Sequence, residues 1–295
     1  MTAYAARMSV FKGNKQETTK EFPFIALLVL GGNACTGSLV GLKTILSAGH
    51  CICHEDLVPK NVHVFLGITE NPNMKNRYPV KKFSMAPEYN EQCLRSYKDP
   101  SVNLVNGYDV AFLALGKAAA LKKHVGLGKV NLENTVPVGT PLLLSGYGYD
   151  YDDSVKNLGF VGLGKVNLEN TVPVGTPLLL SGYGYDYDDS VKNLGVLKSG
   201  HLKASKCLLS EQERIELNDP ICVNYDDINI QNAGAGDSGG PLMLEDNKDI
   251  VGVVSGEMKA VVTIKLGISN EQRKEMIFDI YPRFKNNRKY VEENI

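Results

Sequence analysis

Three short segments of the chain carry residue types that together could perform nucleophilic catalysis. Leu46-Ser47-Ala48-Gly49-His50-Cys51 places a histidine directly after a strand-like run, beside a cysteine able to lock it. Tyr108-Asp109-Val110-Ala111-Phe112-Leu113-Ala114-Leu115 puts an aspartate at the mouth of an apolar strand. Gly234-Ala235-Gly236-Asp237-Ser238-Gly239-Gly240-Pro241-Leu242 offers a serine in a turn rich enough in glycine to demand a special backbone conformation. A serine hydroxyl is a poor nucleophile until an imidazole takes its proton, and the imidazole needs a buried carboxylate to fix its tautomer and stabilise its charged form. Glycines around the serine let backbone N–H groups converge on an oxygen that becomes negative in a tetrahedral intermediate. Taken singly, the segments also read as a core histidine, a strand-opening aspartate and an ordinary tight turn.

Other chemistries fit less well. Zinc held by His50, Cys51, Cys53 and His54 would crowd its ligands into one short stretch, where a tetrahedral site draws on two separated pairs. The acidic stretch Tyr147 to Ser154 lacks the mid-loop glycine and closing glutamate of an EF-hand, so it reads as a solvated loop. No metal and no other cofactor is expected.

The elements that must position these residues are mostly short strands. Apolar runs lie at Phe24 to Leu30, Gly37 to Leu46, Val62 to Gly67, Val110 to Leu115, Pro141 to Ser145, Pro241 to Leu244 and Ile250 to Ser255, separated by turn residues drawn from 29 glycines and 13 prolines. Polar, proline-containing loops are expected at Asn71 to Asn76 and Asn90 to Asn106. Helical spacing is confined to Ser205 to Leu217 and Pro282 to Ile295. This pattern predicts an all-β body closed by a terminal helix.

Length and charge narrow the function. The 295 residues carry 32 Lys+Arg against 33 Asp+Glu, a net charge of −1, and no polybasic cluster, so nucleic acid and anionic membrane are not expected as partners. The longest apolar run, Ile25 to Gly32, is too short to span a bilayer, and the chain reads as soluble. Within it, Val125 to Gly159 recurs letter for letter as Val161 to Gly195, an offset of 36 with Phe160 between the copies. A repeat array needs several degenerate units sharing a continuous core. Two identical copies mark either a recent tandem duplication or an error of sequence assembly, and one copy is surplus to a functional unit of about 259 residues.

LSAGHC, YDVAFLAL and GDSGGPL, in the order His, Asp, Ser, resemble the trypsin/chymotrypsin-like serine peptidases. The separation of Asp109 from Ser238 is 129 residues, or 93 once one copy is removed, which is usual in that family. The resemblance implies two packed six-stranded antiparallel Greek-key β-barrels with a C-terminal α-helix, the first over about 24–120 and the second over about 125–280, within a peptidase domain 10–295 preceded by a propeptide remnant 1–9. It implies His50 as general base and acid, Asp109 as its orienting partner, Ser238 as nucleophile, and the N–H groups of Gly236 and Ser238 as oxyanion hole. Cys35 with Cys51 and Cys207 with Cys222 match two family disulfides; Cys53 and Cys93 are then left to pair with each other. Disulfides imply an oxidising compartment and secretion. The first residues lack the apolar core of a signal peptide, so the true start is expected to lie elsewhere.

The chain also departs from the family. Asp237 is in place to receive a newly cut N-terminus, but Arg7, the candidate cut site, is not followed by a Val-Gly-Gly type start. Asn232 falls at the base of the specificity pocket, where trypsin-type members carry an aspartate, so no Arg/Lys preference is expected. Val254-Ser255-Gly256-Glu257 stands where Ser-Trp-Gly is usual; Ser255 keeps its support of Asp109 while Glu257 makes the cleft more acidic. The expectation is therefore a secreted, monomeric endopeptidase acting on peptide or protein and open to a protein inhibitor. The alternative is a catalytically silent homologue that binds or regulates.

Overall fold

A computed structural model of the chain describes residues 14–31, 33–69, 72–99, 101–133, 136–138, 140–147, 197–225, 233–234, 236–265 and 271–295. In the first half, β2 (Ile25–Leu30), β3 (Asn33–Gly41), β4 (Thr44–Ser47), β5 (Val62–Leu66), β6 (Tyr78–Met85) and β7 (Ala111–Leu115) close into a barrel in the order β2-β3-β4-β7-β6-β5. Closure rests on β2, which pairs antiparallel with β3 on one side and β5 on the other, leaving the barrel no open edge. The apolar run Gly37 to Leu46 is not one strand but the hairpin β3–β4, turning at Leu42 and Lys43.

The second half is built from β8 (Pro141–Gly146), β9 (Lys198–Lys203), β10 (Ile221–Tyr225), β11 (Pro241–Leu244), β12 (Ile250–Val253), β13 (Gly256–Lys265) and β14 (Glu271–Tyr281). Its strands form two sheets, β1-β9-β8-β11-β12 and β10-β14-β13, where β1 is Asn14–Lys15. Isolated bridges at Ser205↔Cys222 and Gly252↔Arg283 join the two sheets at both edges, so β8, β9, β10, β14, β12 and β11 form the second six-stranded ring. Strand alternation explains how it packs. Leu142 and Leu144 of β8 point into the ring with Leu202, Ile221, Leu242, Val251 and Tyr281. Leu143 points the other way and joins Met243 and Val253 in the core of the first barrel, so one pleated strand serves both cores.

The C-terminal segment reaches back to the first barrel. A 3₁₀ turn at Phe284–Asn287 leads into α3 (Arg288–Glu292); Phe284 and Val291 are fully buried there, and Tyr290 sits edge-on to Phe112 at 5.5 Å. The other expected helix is shorter than its spacing suggests. Only Glu211–Glu216 (α2) is helical, opened by a capping box between Ser210 and Glu213. Residues 205–210 stay outside the helix: Ser205 bridges to Cys222 and Cys207 is disulfide-bonded to Cys222, which ties the segment to β10. Part of the expected loop Asn90 to Asn106 is instead α1 (Pro87–Ser96), with proline at its first position.

Among the described residues, the first copy of the repeat contributes the strand Pro141–Gly146, which pairs from Gly146↔Lys198 to Pro141↔Lys203. The second copy, 161–195, lies outside the described residues, as does most of the acidic stretch 147–154.

Candidate active site

His50 stands just past the end of β4 on a turn closed by the amides of Ile52 and Cys53, both donating to the Gly49 carbonyl. Asp109 stands just before β7, and β4 and β7 are hydrogen-bonded neighbours, so the barrel register itself brings the pair together. Asp109 is fully buried, and three donors converge on its carboxylate. His50 Nδ1 lies 2.7 Å from Oδ2, the His50 amide donates to Oδ1 at 2.8 Å, and the Ser255 hydroxyl donates to Oδ2 at 2.5 Å. A buried carboxylate is tolerated when its lone pairs are filled this way. Burial alone would lower the His50 pKa, but the charge of Asp109 and the hydrogen bond to it prevail and raise it above 6.5. With Asp109 ionised, Nδ1 carries the proton and Nε2 the lone pair.

Ser238 is carried on a turn in which the Gly240 amide donates to Asp237 O at 2.7 Å and the Asp237 amide to Gly234 O at 3.0 Å. Gly236 and Gly239 both have positive φ, 91° and 76°. A side chain at Gly239 would also collide, since its Cβ would overlap Ser47 Oγ and lie 2.6 Å from Thr36 O. The turn is fastened to the first barrel through Thr36 of β3. Its amide donates to Ser238 O at 2.9 Å, and its hydroxyl donates to Gly236 O at 2.8 Å and accepts the Tyr147 amide at 3.0 Å. On the other side the Gly239 amide donates to Val254 O, tying the turn to the segment that carries Ser255.

The nucleophile turn and the histidine meet at Cys51, whose Sγ is 3.6 Å from Ser238 O and 3.9 Å from His50 Nε2. Among the described residues no hydrogen bond joins Ser238 Oγ to His50; such bonds are often long before substrate binds. The six cysteines form three disulfides, Cys35–Cys51, Cys53–Cys93 and Cys207–Cys222. Cys35, His50 and Cys51 cluster tightly, but their sulfurs are bonded to each other and offer no thiolate to a metal; Cys53 is equally committed.

Asp237 is fully buried, with Oδ2 accepting the Gly234 amide at 2.8 Å and Oδ1 packed against Gly146. Arg7 and Asn232 lie outside the described residues. Glu257, the second residue of β13, lies directly opposite Asp279 of β14. Sequence reasoning missed Thr36 and Tyr89. Tyr89 of α1 is fully buried against Gly49 and donates to Leu104 O at 3.0 Å; burial and the nearby Asp109 charge hold its phenol well above its ordinary range, so it stays neutral. A surface cavity of about 490 Å³, lined by Val136, Ala204, Cys207, Ile221 and Arg283, includes none of the site residues.

A family model described as Trypsin matches residues 11–167 and 155–269 in two overlapping pieces. Cercarial protease of Schistosoma mansoni is 27% identical over 248 residues, spanning 82% of this chain and 78% of that protein. Chymotrypsin-like elastase family member 1 of Bos taurus is 28% identical over 120 residues, 39% of this chain and 40% of that protein. Among solved structures, human heparin binding protein matches with a TM-score of 0.56 and 16% identity over 96% of this chain and 95% of its own; at that identity the likeness speaks for the fold.

Proposed function

Because the chain belongs to the trypsin family, we propose that it is a secreted serine endopeptidase in which Ser238, His50 and Asp109 form the catalytic triad. The observation that carries this reading is the single Asp109 carboxylate shared by His50 and Ser255, set beside a turn that presents Ser238. Ser238 Oγ attacks the carbonyl carbon of a peptide bond as His50 Nε2 takes the hydroxyl proton. The resulting oxyanion is received by the N–H groups of Gly236 and Ser238. The amine leaves with the proton from His50, giving an acyl-enzyme. Water then attacks, its proton passing through His50 back to Ser238 as the acid is released.

The family implies a peptide or protein substrate. Three disulfides support an oxidising, extracellular setting. Residues 10–295 serve as one peptidase unit with one repeat copy surplus, acting as a monomer with no cofactor, and a protein inhibitor fits the same cleft. Asp237 is the acceptor for the N-terminus freed on activation.

Incubating the protein, with its native N-terminus, with a broad peptide library tests the reading by mass spectrometry. Cleavage abolished by Ser238→Ala supports it; no cleavage, or cleavage that survives Ser238→Ala, overturns it. The second reading, a silent homologue that binds without cutting, is favoured by the sequence departures after Arg7 and at Asn232, and the same experiment separates the two.

A further inference from the structure

The surface cavity of about 490 Å³ lies on the second ring and takes no part in the reaction proposed above. Its volume falls in the range of small-ligand sites, about 300 to 1,000 Å³. Val136, Ala204 and Ile221, all members of the second core, give it an apolar lining.

The polar side of the cavity is cationic. Lys206, Arg214 and Arg283 line it against Glu211 and Asp219. Asp219 serves two guanidiniums at once. Its Oδ1 accepts both Nε and Nη2 of Arg214, whereas Arg283 Nε comes no closer than 4.0 Å to Oδ2. Arg283 donates instead to main-chain carbonyls, Nε to Asp219 O at 3.1 Å and Nη2 to Pro220 O at 3.5 Å. A guanidinium has five N–H donors, and among the described residues Nη1 of Arg283 makes no hydrogen bond. The side chain is nevertheless only 15% exposed. Burial pulls its pKa below 12.5; the charge of Asp219 opposes this and that of Arg214 adds to it. The group stays protonated all the same. An anion beside it would fill the spare donors and offset the repulsion between the two guanidiniums.

The cationic wall is fixed in place before any ligand arrives. Asn218 and Asp219 both have positive φ, 57° and 42°, where the chain leaves α2. Asn286 Nδ2 donates to Asn218 O at 2.8 Å, and Asn218 Nδ2 to Gly107 O at 3.3 Å. The Cys207–Cys222 disulfide joins two residues of the lining. A site held in this way pays little ordering entropy on binding.

We propose that this cavity binds a small organic anion with an apolar body, its carboxylate taken by Arg283 and its hydrocarbon part lying against Val136, Ala204 and Ile221. The planar guanidinium suits a carboxylate by paired hydrogen bonds. The site is independent of the endopeptidase reading, since none of its residues belongs to the triad or to the nucleophile turn.

2-Naphthoate and its neutral counterpart 2-naphthalenemethanol test this on the full, disulfide-bonded chain. Calorimetry should show the carboxylate binding at least about 10-fold more tightly than the alcohol, with a loss of about 10- to 100-fold in Arg283→Gln, the scale of a lost charge-assisted bond. Equal binding of the two probes, or undiminished binding to Arg283→Gln, overturns the proposal. Should Arg283→Gln fail to fold, hydrogen exchange on the unaltered chain decides the point. Naphthoate, but not the alcohol, should slow exchange in residues 204–209 and 219–222. Slowing confined to residues 236–240 would put the probe in the cleft beside Ser238, and that result, or no slowing at all, overturns the proposal.

Discussion

The hydroxyl of Ser255 donates to Asp109 Oδ2 at 2.5 Å, from the second barrel into the first. Asp109 precedes β7 and Ser255 follows β12, so this bond crosses the barrel interface at the point where His50 is oriented. Removing it with Ser255→Ala leaves one lone pair of a buried carboxylate unfilled, a cost of about 1.5 to 3 kcal/mol. We expect kcat to fall about 10- to 100-fold with a smaller change in KM, measured by steady-state kinetics beside a melting curve.

The raised pKa of His50 sets a pH dependence. The imidazole must be neutral to accept the Ser238 proton, so activity rises with pH through a midpoint above 6.5. For stability the sign is opposite: the folded state holds the proton more tightly than the unfolded one. That contribution is full below the unfolded value of 6.5 and is lost as pH rises through the folded one. Asp109→Asn removes the cause, and a roughly 10,000-fold fall in kcat is expected from the wrong tautomer. The pH–rate profile and the variant's kcat check both parts.

Gly239 should tolerate no side chain. Its positive φ and the overlap of any Cβ with Ser47 Oγ predict that Gly239→Ala destabilises the fold by about 3 kcal/mol or more, read by chemical denaturation.

Cys53–Cys93 straps α1 to the turn that carries His50, closing a loop with a sequence separation of 40. Loop-closure entropy puts its contribution at about 4 kcal/mol. Cys53→Ser/Cys93→Ser should lower the denaturation midpoint accordingly, and hydrogen exchange should show α1 losing protection before the barrel strands do.

The second repeat copy should be dispensable. Register from Gly146↔Lys198 to Pro141↔Lys203 uses the first copy alone. Deleting residues 160–195 shortens the connection inside this hairpin and should stabilise the fold by about 1 kcal/mol through loop entropy, with peptide cleavage retained. Denaturation and the library assay measure the two consequences.

His50, Asp109 and Ser238 were legible as candidates because each lies in a short local pattern at a strand end, and the strands that hold them are apolar enough to be read. The roles of Thr36 and Ser255 depend on long-range register, although the latter followed from its place in the resembling segment. The hairpin β13–β14 was missed because both strands open on charged residues, Gly-Glu-Met-Lys and Glu-Gln-Arg-Lys-Glu, although the runs Ala260 to Ile264 and Met276 to Tyr281 carry a strand signal. The helix expected from residue 205 failed where the Cys207–Cys222 disulfide overrode helical spacing, and α1 was hidden in polar residues anchored by a disulfide instead of an apolar face.

Activation of Ser238 by His50 underlies the whole proposed reaction. Treating the processed protein with a fluorophosphonate and mapping the adduct by mass spectrometry is its sharpest test. A single modification on Ser238 that is lost in His50→Ala is predicted. An unmodified Ser238, or labelling there that persists undiminished without His50, would contradict it.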